Sequence, residues 1–378
     1  MRICFMTTAV LALASAVSAA EPGRVTAILV SPIHEAQVVR GDDGMDHVEY
    51  ELLVVNVFPE PVTLSRATVL DPAGKELMRI EGHALTAATQ TLFARTETAV
   101  IPASAAVSVD VDLIQRPGTT PERVKHRIAY SLAADTKLAL MIGSLQVDGP
   151  EVTINRQPAI AIKSPLRGNG WIAAAGCCKP NIHRDTRWAI DGRRIETAET
   201  FFIDWNRVKN DRIYDGDGKK VEQHYAFGQD VLAVADGKVV SIRDGIPDQM
   251  PFQMMVPKAK EEYGGNHVIL EIATNVFACY EHLQSGSVTV KVGNAVKAGA
   301  PLGKIGNTGP SEGPHLHFGL SDKPNFVSGR SLPFVFDSFT LVGSVDFDAS
   351  KADRLVILPN SRQVRAAYPL LGSIQNYP

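Results

Sequence analysis

Val231-Leu-Ala-Val-Ala-Asp-Gly-Lys-Val-Val-Ser-Ile242 is rich in valine on both sides of one Asp-Gly pair. It reads as two short strands about a turn at Asp236-Gly237. The pattern continues outward. His267-Val-Ile-Leu-Glu-Ile272 is a further strand and Phe277-Ala-Cys-Tyr-Glu-His-Leu283 another. Val288-Thr-Val-Lys-Val292 and Pro301-Leu-Gly-Lys-Ile305 frame a Gly-rich turn from Gly293-Asn294 to Gly299. No long stretch carries the 3.6-residue apolar period of a helix. Asp211 to Gly218 is polar and turn-like, as a surface insertion would be.

The first half reads in the same way. Arg24-Val-Thr-Ala-Ile-Leu-Val30, Val48-Glu-Tyr-Glu-Leu-Leu-Val-Val-Asn-Val57 and Ala106-Val-Ser-Val-Asp-Val-Asp-Leu113 are strand-like, the last with clean alternation. Turn signals at 41–44, 71–74 and 116–118 separate them. Strands at that spacing favour a β-sandwich. The expected fold class is all-β. A β-sandwich-like domain over 21–157 precedes a second domain over 158–345 in which strands again dominate. The boundary falls near Asn155-Arg-Gln-Pro158, and 346–378 is expected as a loosely attached tail.

The 378 residues carry a formal net charge of -3, with no basic footprint for nucleic acid. Residues 1–20 have the form of a secretory signal: Arg2, a short apolar run, then small residues before Glu21-Pro22. The expectation is an exported protein, periplasmic or secreted, with no stable membrane insertion once the signal is removed. Cys4 leaves with that signal, so Cys177, Cys178 and Cys279 remain. Adjacent cysteines rarely bond each other, so a disulfide from Cys177 or Cys178 to Cys279 is expected in an oxidising compartment.

His34, His47, His83 and His126 are scattered and read as surface or turn residues. The other six of the ten histidines follow residue 180. His315-Leu-His317 on a strand would place both imidazoles on one face, with Leu316 pointing into a core. Such a pair suits a metal site, in which one ring ligates and the other acts on water or substrate. An aspartate lies in an apolar strand, Phe201-Phe-Ile-Asp204-Trp205.

These pieces fall in a fixed order. After Asp204 come Gly228-Gln-Asp-Val-Leu-Ala-Val-Ala-Asp-Gly-Lys-Val239, Gly265-Asn-His-Val-Ile-Leu270, Tyr280-Glu-His282-Leu283 and Val290 to Gly299. Then follow Gly303-Lys-Ile-Gly-Asn-Thr-Gly309 and Gly313-Pro-His315-Leu-His317-Phe318. Over about residues 180 to 335 the series resembles the LytM/lysostaphin-type zinc peptidases, the M23 family of peptidoglycan endopeptidases.

The resemblance implies a LytM-like antiparallel β-sheet peptidase domain that binds Zn2+. It implies His317 and Asp204 as zinc ligands, and His282 and His315 as catalytic residues. The family's first ligand, four residues before the aspartate, is missing, because Thr200 stands there. The nearest upstream histidine is His183, and a hairpin about Asp191-Gly192 would return the chain so that it meets Asp204. His224 is the rival, with a spacing to Asp230 that does not fit. Two imidazoles, one carboxylate and a water make a normal catalytic zinc shell. The implied reaction is hydrolysis of a peptidoglycan peptide; the alternative is a catalytically inactive LytM-like binding or activator protein. Val290 to Gly306 is also similar to the Gly-rich hairpins of biotinyl/lipoyl carriers and glucose-type phosphocarriers. An export signal and an aspartate ligand oppose that reading.

Overall fold

A computed structural model of the protein describes residues 23–92, 96–325, 327–351 and 354–378, so the expected export signal lies outside the described residues. Among the described residues the chain forms one ten-stranded sheet, one twelve-stranded sheet and two two-stranded sheets. The only α-helix among them is Gly82–Ala88. No helix among them is long and apolar enough to cross a membrane. The all-β expectation holds.

The first sheet folds over on itself. The strand Gln146–Asn155 pairs with Arg123–Leu132 on one side and with Ala36–Arg40 on the other, with a register shift between Gly149 and Val152. Two layers therefore close on one core, where Tyr50, Leu52 and Val54 meet Leu64, Val69 and Ile128. The histidines of this half are not surface residues, His83 excepted. His34 pairs with the buried carboxylate of Glu51. His47 lies between Asp112 at 2.9 Å and Asp43 at 3.2 Å. His126 shares a 2.7 Å hydrogen bond with the Tyr50 hydroxyl. Each is buried or nearly so because it has a polar partner, as buried polar groups require.

The second sheet runs, across its width, Ile160–Ile162, Phe334–Lys351, Ser373–Tyr377, Gly168–Ala175 and Ile203–Arg207. It continues through Leu316–Ser321, Val276–Glu281, His267–Ala273, Gly237–Arg243 and Ala295–Val296. The two strands read from Val231–Ile242 exist, but they do not pair with each other. Asp230–Leu232 pairs with Pro301–Lys304, and Gly237–Arg243 with His267–Ala273. Gly237 is needed there, because a Cβ would come within 2.8 Å of the Glu271 carbonyl oxygen. Val288 to Val292 forms no strand.

The stretch 346–378, expected as a tail, is part of this sheet. The strand Phe334–Lys351 runs through residue 346, Arg354–Ala367 returns along it, and Ser373–Tyr377 is inserted beside Gly168–Ala175. Ile374 and Tyr377 are buried there. The central strands stack aromatic rings beneath the site. Phe318 lies 5.1 Å from Tyr280, 5.6 Å from Phe334 and 6.2 Å from Trp205, centroid to centroid.

Candidate metal centre

Three neighbouring strands set the floor of the site. Asp204 stands opposite His317, and His317 opposite Glu281, so one row across the sheet reads Asp204, His317, Glu281. Alternation sends Leu316 and Phe318 to the other face, into the core. His315 immediately precedes the strand. His183 arrives from a run of turns over 182–185, and the hairpin Arg187–Ile190 with Arg194–Thr197 returns the chain to Asp204.

The five expected residues meet. His183 Nε2 lies 3.2 Å from Asp204 Oδ2. His317 Nδ1 lies 2.7 Å and His315 Nε2 3.3 Å from Asp204 Oδ1. The His282 ring centre is 4.9 Å from that of His315 and 5.6 Å from that of His317.

Carbonyl partners fix the tautomers. A carbonyl only accepts, so the ring nitrogen facing it carries the hydrogen. His183 Nδ1 donates to the Phe202 carbonyl at 2.9 Å, His282 Nδ1 to Thr308 at 2.8 Å and His315 Nδ1 to Gly313 at 2.8 Å. In each ring Nε2 is then left for the cleft. Metal-binding histidines are commonly oriented in this way. His282 also has a φ of 59°. This left-handed backbone is held by its amide on the Gly264 carbonyl and by its own carbonyl under the Gly306 amide.

The electrostatics follow from one partly buried carboxylate among imidazoles. Burial would raise the Asp204 pKa, but His183 and His315 hold it well below the usual range. Burial works against a charge on His183, and Asp204 outweighs it, lifting the pKa to about 9. Burial, reinforced by His315 and His317, keeps His282 well below its ordinary value.

His224 stands on the cleft wall, with its Nε2 2.8 Å from the Gly218 carbonyl and its ring beside Tyr214 and Phe252. Two residues had escaped the sequence reading. Glu199 places a carboxylate oxygen within 4.8 Å of ring nitrogens of His183 and His317. Glu281 is buried beside His317, and its Oε1 has no hydrogen-bond partner among the described residues. Burial and the charges of Glu199 and Asp204 push its pKa well up. Its neighbour His282 was the available signal, but only the strand register places Glu281 against His317.

The cysteines differ from expectation. Cys177 and Cys178 are bonded to each other across a cis peptide bond, and Cys279 is a free, buried thiol. Cys279 lies among Phe202, Ile269 and Phe277, so its sulfur is enclosed by apolar side chains.

The donor set fits a transition metal: Nε2 of His183, the Asp204 carboxylate and Nδ1 of His317 converge, with ring orientations already fixed by hydrogen bonds. An all-β sheet bearing such a cluster defines a class of candidate metallohydrolases. Residues 219–328 match the model of Peptidase family M23. The match contains His282, His315 and His317 and starts after His183 and Asp204.

Among similar proteins is the peptidoglycan DD-endopeptidase ShyA of Vibrio cholerae, 36% identical over 92 residues, which is 24% of this chain and 20% of that protein. ShyB of the same organism is 33% identical over 92 residues, 24% of this chain and 17% of that protein. The match thus spans about a fifth of the length of these relatives. The catalytic domain of lysostaphin from Staphylococcus simulans is 26% identical, covering 31% of this chain and 88% of that one, with a TM-score of 0.21. A zinc-containing peptidase from Vibrio cholerae is 16% identical, covering 76% and 80%, with a TM-score of 0.23.

Proposed function

We propose that the protein is a zinc-dependent endopeptidase that hydrolyses a peptide bond in peptidoglycan, with His183, Asp204 and His317 as metal ligands. The observation that carries this reading is the contact of one partly buried carboxylate, Asp204, with three imidazoles whose orientations are set. The family match and the names of the relatives support the substrate class. Peptidoglycan lies outside the cytoplasm, so the reading requires export, for which residues 1–20 are the expected signal.

Zinc at these ligands would supply Lewis acidity, polarising the scissile carbonyl and bringing the pKa of a water toward about 7. The remaining chemistry belongs to the chain. His282, a neutral ring with Nε2 free, accepts a proton from the attacking water and returns it to the leaving amine. His315 is anchored by Nδ1–H on Gly313. Burial works against a charge there and Asp204 outweighs it, raising its pKa. In the protonated form its Nε2–H donates to the oxyanion that forms as the carbonyl becomes tetrahedral. Thr308, Gly313 and Phe202 act through their carbonyls, keeping each ring in one tautomer. The test is to measure zinc content and release of amine ends from purified peptidoglycan. Loss of hydrolysis on chelation and recovery on adding zinc are expected. Protein that takes up no metal would refute the reading.

A further inference from the structure

The strand pair Asp46–Asn56 and Ala106–Gln115 carries its acids in two opposed pairs: Glu49 faces Asp112, and Glu51 faces Asp110. Like charges directly opposite each other across a ladder are destabilising. Even so, the side chains of Glu49, Glu51 and Asp110 are fully buried. A sandwich on its own would turn such a face to water. Here the face is covered by the segment around His183, which brings Arg184 and Arg187 to Glu49, Glu51 and Asp110, while His34 and His47 of the sandwich itself pair with Glu51 and Asp112.

Arg184 is the residue after His183, and its side chain is fully buried. Its Nη1 donates to Glu49 Oε1 at 3.0 Å, and its Nη2 lies 2.9 Å from Oε2 as an ion-pair contact without hydrogen-bond geometry. The guanidinium also lies 3.4 Å from Glu51, and it donates to the Tyr50 carbonyl at 3.1 Å and the Cys178 carbonyl at 2.9 Å. Arg187 reaches Asp110 at 2.6 Å. Charge-assisted donation to Glu49 and Glu51, together with the two carbonyl contacts, fixes the guanidinium's direction as well as its position. It does so where the chain has no strand of its own: His183 sits in turns, and its amide is held by the Asn181 side chain. Thr200 occupies the position from which a ligand would have been carried close to the Asp204 strand.

We infer that Arg184, clamped by Glu49 and Glu51, is a positioning residue for His183, so that the N-terminal sandwich is a working part of the metal centre. This rests on His183 being a ligand. It gives the sandwich a role that neither the family match nor the relatives assign. Without the clamp, the His183 imidazole would keep its Phe202 hydrogen bond but lose the anchor that holds its backbone against the sheet.

The test uses the full chain and four variants: Glu49→Gln, Arg184→Lys, His183→Ala and Leu64→Ala. Leu64 is buried in the sandwich core away from the acidic face, so its truncation weakens the sandwich without touching the clamp. Zinc affinity is measured by chelator competition, the visible spectrum is recorded on cobalt-substituted protein, and melting is followed on the metal-free form. Glu49→Gln and Arg184→Lys should weaken zinc binding by roughly 10–100-fold, as loss of an outer-shell partner does. Their cobalt spectra should move toward that of His183→Ala. Leu64→Ala should melt lower with affinity and spectrum unchanged. If the two clamp variants melt lower but keep wild-type affinity and spectrum, Arg184 is merely structural and the inference is overturned. Should Arg184→Lys fail to fold, Glu49→Gln alone decides, since it keeps the side chain's shape. Wild-type affinity in His183→Ala would instead overturn the ligand assignment, and the inference with it.

Discussion

His317 and His282 both face the cleft, but they are tied down differently, in keeping with the different roles proposed for them. His317 uses Nδ1 toward Asp204, whereas His282 gives Nδ1 to the Thr308 carbonyl. Replacing His317 by Ala should therefore lower zinc affinity and activity together. Replacing His282 by Ala should leave zinc in place while hydrolysis falls by roughly 10²–10⁴-fold. Metal stoichiometry and rate on the same preparations check this; zinc lost from His282→Ala and kept by His317→Ala would invert the assignment. A second comparison concerns the missing family ligand. His183→Ala should weaken zinc binding strongly, whereas His224→Ala should change it little, because the His224 Nε2 is committed to the Gly218 carbonyl. Chelator competition on both variants decides, and equal losses would contradict the choice of His183. At this scale the sequence was readable wherever a strand period sufficed. His315-Leu-His317 shows its shared face in three letters, and Asp204 lies in an apolar run. Glu199 and Glu281 were not readable, because their place beside the imidazoles depends on loop closure and on the pairing of Val276–Glu281 with Leu316–Ser321.

Among the elements, the sandwich strand Arg123–Leu132 carries a group that should make folding sensitive to pH. His126 is buried, and burial lowers its pKa from 6.5 to about 4. In the unfolded chain the ring binds a proton near pH 6.5, and in the folded chain only near 4. Between those values the unfolded state holds more protons, so stability rises with pH. This contribution is complete above about pH 6.5 and is lost as the pH falls through 4, by roughly 3 kcal/mol at most. Denaturant unfolding of wild type and His126→Gln from pH 4 to 7.5 checks it. The wild-type curve should be the steeper; parallel curves would mean that His126 is not held neutral. The strands around His126 were legible because they alternate. The end of the chain was not. Along Arg354–Ala367 most side chains are exposed, so polar residues outnumber the few that anchor the hairpin, and the periodicity resembled a tail. The pairing of Asp230–Leu232 with Pro301–Lys304 is likewise a long-range choice that no local turn signal specifies.

Over the whole molecule the two halves share an interface that composition concealed. Glu49, Glu51 and Asp110 alternate with apolar residues as a solvent-facing edge would, yet they are interior, against Arg184 and Arg187 and, for Glu51, also His34. Three of the four histidines assigned to the surface are buried for a related reason, each beside a polar partner. The candidate metal centre thus draws on residues far apart in the chain, and two of its three proposed ligands, His183 and Asp204, lie outside the segment that matches the peptidase family model. The most direct test is to reconstitute the full-length protein with zinc, count the metal, and incubate it with purified peptidoglycan. About one zinc per chain and new peptide amine ends are expected, both lost in His317→Ala. Protein that binds no metal after reconstitution, or that binds one zinc tightly yet releases no amine ends, would contradict a zinc endopeptidase.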